Sequence, residues 1–303
     1  MSADAFHALM SRFQSFEDAG GGFSEEFLPD AVGGGGLAIL TRPLGESRAT
    51  GIVVCRSAGP EQGPLSRLET VAARELARRG FPVIRIRRGL GDEKQPPDLD
   101  LADVVNEAEG AATAIREVCG VDRVGAVGCI LGGSGALIAA TRLELSFAAV
   151  VNPVVLGSSY LRDLYRRQLV TGFMTPTERV ARRERFEERL ERGPALVRGM
   201  RLTRAAFTGL AGLDLGEQSA GFRGDVLLAA VSRSGEPDEG IAILARKLEE
   251  GGATVTVEGL ADPLPAPFGE VFVRRTGDGS PADTRIGLDR SLAAFVAGWA
   301  EER

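Results

Sequence analysis

The chain has 303 residues, 44% of them hydrophobic and 26% charged, which is enough to bury one large α/β core or two small ones. Its formal net charge of −6 offers no positive face to a phosphate backbone, and it has no apolar run of the ~20 residues a bilayer-crossing helix needs, which argues against nucleic acid and membrane as partners. Cys55, Cys119 and Cys129 are an odd number at no metal-binding spacing, a pattern that fits reduced thiols in the cytoplasm and no metal.

Residues 1–24 read as an amphipathic, acidic leader that lacks the basic start and apolar run of a signal peptide. They hold His7, the only histidine, which reads as solvent-facing. A zinc site of the usual kind needs His and Cys clusters, and a Ser/His/acid or Cys/His mechanism needs an imidazole placed by the fold. A lone leader histidine argues against all of these.

The period then alternates between strand and helix. EEFLP and GLAILTRP read as a strand pair joined through Gly33 to Gly36, closed by Pro43 and Gly45, and GIVVCR reads as a fully buried strand. LSRLETVAARELARRG has Leu68, Val71, Ala72, Leu76 and Ala77 at helical spacing and stops at Gly80. FPVIRIRR is the next strand, LADVVNEAEGAATAIREVCG a helix ending at Gly120, RVGAVGCI a glycine-rich strand and GGSGALIAATRL a close-packing helix. SFAAVVNPVV, GDVLLAAVS and ATVTVEG are further strands, and SLAAFVAGWAEER is the closing helix. This alternation predicts an α/β fold with a mostly parallel sheet and flanking helices, its core spanning residues 25–157 and 222–303. The runs at 51–56, 82–87, 123–129, 147–153 and 225–231 should be adjacent strands of one sheet.

Residues 158–221 differ. YLRDLYRRQLVTGF, TPTERVARRERFEERLERG and ALVRGMRLTRAAF are Arg- and Glu-rich at helical spacing, with Thr175 or Thr177 as a cap and Pro176 in the first turn. They predict a helical lid over the strand ends, its charges forming a solvated face.

Val124 to Ala140, VGAVGCILGGSGALIAA, has the shape of a strand, a sharp turn and a helix. With GLAILTRP, GIVVCRSAGPE, GFPVIRIRRGLGDE and VNPVVLGSSYLRDL, it resembles the α/β-hydrolases, specifically the bacterial serine-aminopeptidase-like and exosortase-associated hydrolase group, over roughly residues 26–301. The resemblance implies an elbow reading Gly-x-Ser-x-Gly-Gly, but this chain reads Gly128-Cys129-Ile130-Leu131-Gly132-Gly133. It implies a histidine before the last helix, where EGLADPLPAPFGE has none. Glu236 and Asp238 lie near the implied acid position, and Arg56 with Ser57 replaces the histidine-led oxyanion loop.

Nucleophile and base are therefore both missing. Ser57, Cys129 and Ser134 are the substitute nucleophiles to weigh: each lacks a base, Cys129 points away from position 130, and Ser134 lies in the first turn of the elbow helix. Cys55 reads as core. Ligands of open parallel sheets bind outside the carboxyl ends of the strands, which here carry Arg56 and Ser57, Arg87 and Arg88, Ile130 and Leu131, and Asn152. Arg88 reads as pairing with Asp92; Arg56 reads either as a surface loop arginine or as a bidentate site for a carboxylate or phosphate. The expectation is a catalytically inactive hydrolase-like protein that needs no cofactor and binds an anionic or apolar small molecule, or pairs with a second copy or a paralogue. The alternatives are an atypical esterase, acyltransferase or triad-independent catalyst, and a structural subunit of an active paralogue. Ile130 itself should adopt a backbone conformation unusual for a β-branched residue.

Overall fold

The apolar runs become one sheet. The computed structural model describes residues 15–18, 20–29, 36–88, 98–172, 186–261 and 284–303. In chain order they form β1 (Ser15–Asp18), β2 (Phe23–Pro29), β3 (Gly36–Pro43), β4 (Thr50–Val54), α1 (Gln62–Arg78), β5 (Val83–Arg88), α2 (Leu101–Cys119), β6 (Arg123–Cys129), α3 (Leu131–Arg142) and β7 (Phe147–Val151). There follow α4 (Gly157–Gly172), α5 (Phe186–Arg192), β8 (Ala195–Val197), β9 (Met200–Leu202), α6 (Arg204–Ala211), α7 (Leu215–Gln218), β10 (Asp225–Ser232), α8 (Glu239–Glu250), β11 (Thr254–Ala261) and α9 (Thr284–Glu301).

Nine strands line up in the order β1-β2-β3-β5-β4-β6-β7-β10-β11. The β1, β2, β3 and β5 contacts are antiparallel, and every contact from β5 through β4 to β11 is parallel. The five runs expected to be adjacent are adjacent. Their central strands β4 and β7 are buried along their whole length, as strands covered on both faces must be. Helix α1 packs with α9, and α2 with α3. The limits of α2 follow from its sequence: the Asp100 carboxylate accepts from the Ala102 N–H at the start, and Gly120 takes φ 63° at the end.

Two expectations change. The segment read as a leader contributes β1, which pairs with β2 and extends the sheet at its edge. ALVRGMRL, read as helical, is a β-hairpin in which Val197 faces Met200 across Arg198 and Gly199. Both loop residues have positive φ (48° and 82°), the conformation that a two-residue hairpin turn demands and a helix forbids. The local Arg-Gly turn overrode the helical spacing. His7, Asp92, Thr175, Pro176, Thr177 and the segment 262–283 lie outside the described residues.

Candidate functional site

The turn after β6 has the geometry its glycines dictate. Ile130 takes φ 51° and ψ −119°, between the end of β6 and the first residue of α3. Such a conformation costs a β-branched residue on the order of 1–3 kcal/mol and persists only where its surroundings impose it. Here the Ile130 N–H donates to the Val151 carbonyl at 2.9 Å, and its own carbonyl accepts from the Ser134 N–H at 3.0 Å. The backbones around it approach too closely for any side chain. A Cβ on Gly132 would stand 2.7 Å from the Arg56 carbonyl oxygen, and one on Gly128 would overlap the Gly132 carbonyl. Gly132→Ala should therefore cost about 1–3 kcal/mol or more in chemical denaturation, since backbone atoms cannot swing aside as side chains do.

Around this turn the polar side chains are engaged by the chain itself. Arg56, just beyond β4, is buried, and its guanidinium makes a two-pronged contact with Glu107 of α2, Nε to Oε2 at 2.5 Å and Nη2 to Oε1 at 3.3 Å. The reading of Arg56 as a surface loop residue is thus corrected, and the carboxylate it grips belongs to the protein. Ser57 is fully buried; its N–H donates to Glu69 Oε1 at 2.6 Å and its hydroxyl reaches the Cys129 carbonyl at 3.4 Å. Ser134, also fully buried, donates to the carbonyls of Ile130 (3.2 Å) and Val154 (3.0 Å). The Asn152 amide is used at both ends by one residue, donating to the Val231 carbonyl at 2.9 Å and accepting from the Val231 N–H at 2.8 Å, so it bridges β7 and β10. Burial pushes the thiols of Cys55 and Cys129 up, which keeps both protonated and unreactive. Leu131 is fully buried, and Arg88 closes β5. The Tyr160 hydroxyl of α4 donates to Glu61 Oε2 at 2.9 Å, tying that helix to the loop between β4 and α1.

No protein-family model matches the chain, and no curated protein matches it in sequence. Solved structures do match in shape. Est1E from Butyrivibrio proteoclasticus superposes at a TM-score of 0.55 with 11% identity, covering 92% of this chain and 98% of its own. EstE5 superposes at 0.52 with 14% identity, covering 100% and 91%, and carboxyl esterase 2 from the mycorrhizal fungus Tuber melanosporum at 0.50 with 16% identity, covering 93% and 88%. The chain has the α/β-hydrolase fold.

In the α/β-hydrolase fold the nucleophile stands on a strained strand-to-helix turn, and the acid and histidine follow later in the chain. The turn is here, with an isoleucine on it. Asp238, which the resemblance in sequence implied to lie near the acid position, accepts from the Ile241 N–H at 2.9 Å and caps α8, while Glu236 is exposed. The loop that follows β11 in sequence carries no histidine, and its residues 262–283 lie outside the described residues. Among the described residues, no group of three or more His, Cys, Asp or Glu could hold a metal ion, and no helix is long and apolar enough to cross a membrane.

The sequence reading passed over four residues that organise this region: Glu61, Glu69, Glu107 and Tyr160. Two of them carried a signal. Glu69 falls in the apolar stripe of Leu65, Leu68, Ala72 and Leu76, and Glu107 in that of Val104, Ala108 and Ala111. A carboxylate on the buried face of a helix must meet a donor or a cation, because burying it alone is prohibitive.

Proposed function

We propose that this protein is non-hydrolytic, built on the α/β-hydrolase fold but acting as a protein-partner module rather than as a catalyst. One observation carries the reading: the turn that should present a hydroxyl keeps its strained geometry with Ile130 on it, and the hydrogen-bonding side chains around it are tied to the chain's own groups. An isoleucine cannot attack an acyl carbon. Of the substitutes, Ser57 and Ser134 are buried with their hydroxyls on main-chain carbonyls, and the described residues contain no histidine to serve either as a base. The same internal pairing of Arg56 and Asn152 weighs against a small-molecule site and in favour of a surface-mediated role, with a second copy or a paralogue as the partner class.

The test is turnover of p-nitrophenyl acetate and butyrate by the purified full-length protein. The expected rate equals that of buffer with an equal concentration of an inert protein. Saturable turnover that disappears in Ser57→Ala or Ser134→Ala contradicts the proposal.

A further inference from the structure

The two edges of the sheet differ in how they meet solvent. β1 is described over four residues, Ser15–Asp18, and its last two are the acids Glu17 and Asp18. β11 runs for eight residues, TVTVEGLA, with Glu258 as its one charge and with neither lysine nor proline. Short length, charge and proline are the means by which edge strands avoid pairing with another chain, and a long strand without them is a template for one. Among the described residues, β10 is the strand that pairs with β11. The Thr254 N–H donates to the Gly224 carbonyl, so in this parallel ladder Thr254, Thr256, Glu258 and Leu260 direct their main-chain groups at β10, and those of Val255, Val257 and Gly259 point outward. The Trp299 indole N–H of α9 reaches the Thr256 hydroxyl, which leaves Val255 and Val257 on the opposite face of the sheet, where Val257 is 38% exposed.

We propose that this edge binds a second copy of the chain by antiparallel β11–β11 pairing about a two-fold axis at Val257. In that register Val257 faces Val257, Val255 faces Gly259, and the outward N–H and C=O groups of each pair bond one another. Glu258 then faces Thr256, whereas an axis one residue further on would set two Glu258 carboxylates directly opposite each other. A second copy fits this edge better than a foreign peptide, because its β11 is already extended and held by β10, so pairing orders little new chain. The inference rests on the protein-partner reading and names its surface.

The mass of the full-length protein is measured by analytical ultracentrifugation, and its amide hydrogen exchange by NMR, at a high and a low concentration. A species of twice the 31.9 kDa chain mass is expected at the high one. On dilution to monomer, the amides of Val255, Val257 and Gly259 should exchange at least about 10-fold faster, while those of Thr256 and Glu258 keep their protection. A chain that is monomeric throughout overturns the proposal. So do three amides that exchange alike in dimer and monomer, although the partner reading then stands, with another surface as its site. Where the dimer resists dilution, charge at the axis decides. Val257→Lys and Val257→Glu should each raise the dissociation constant at least about 100-fold, and an equimolar mixture of the two should return the dimer, because residue 257 faces its own copy. A single variant that stays as tightly dimeric as the wild type, or a mixture that stays monomeric, overturns the proposal.

Discussion

Glu107→Ala is expected to cost the fold about 3–5 kcal/mol in chemical denaturation, among the largest single effects available in this molecule. The side chains of Arg56 and Glu107 are 3% and 9% exposed, so removing the carboxylate strands a guanidinium where water cannot reach it. The loss reports the penalty of an unpaired buried charge rather than the worth of the pair. Replacing both partners by apolar residues, Arg56→Met with Glu107→Leu, should for that reason leave stability within about 1 kcal/mol of the wild type or raise it. A loss under about 1 kcal/mol for Glu107→Ala would mean that Arg56 has another partner or reaches solvent, and Arg56 would return as a ligand-binding residue.

Ile130→Ser should cost about 2–4 kcal/mol, through lost apolar burial and a new hydroxyl in need of a partner. Ile130 is 9% exposed, and the burial lost outweighs the relief that an unbranched side chain gains at a φ of 51°. No hydrolysis is expected to return, even when a histidine is added between Gly259 and Pro267. The nearby loop has already given the Ser57 N–H to Glu69 and the Arg56 side chain to Glu107. Melting curves and an activated-ester assay on the same samples separate the outcomes. A small loss of stability with saturable, histidine-dependent turnover would show that the site is open and still catalytically shaped.

The fold was legible where residue pattern and backbone agree. Short β-branched runs such as GIVVCR and SFAAVV bury on both faces, and their order along the chain, each followed by an amphipathic helix, leaves few topologies for a parallel sheet. The position of Ile130 on a strained turn was legible for the same reason, because Gly128 and Gly132 mark where two backbones touch. What misled was spacing without chemistry. ALVRGMRL has helical periodicity, yet the Arg-Gly pair selects a hairpin turn. The fate of the polar groups was not legible, because it depends on side chains far apart in sequence. Arg56 meets Glu107 across 51 residues and Asn152 meets Val231 across 79, and no local pattern announces either contact. Glu69 and Glu107 announced themselves only as charges on apolar stripes, which says that a partner exists without saying which.

Whether any nucleophile works at this site is read most directly from the intact mass of the purified protein after prolonged exposure to excess fluorophosphonate. The mass should be unmodified, with Ser57 and Ser134 buried and hydrogen-bonded and the Cys129 thiol held protonated by burial. Stoichiometric, pH-dependent addition of one phosphonyl group, mapped to Ser57, Ser134 or Cys129 and abolished by its alanine variant, would contradict the non-hydrolytic reading.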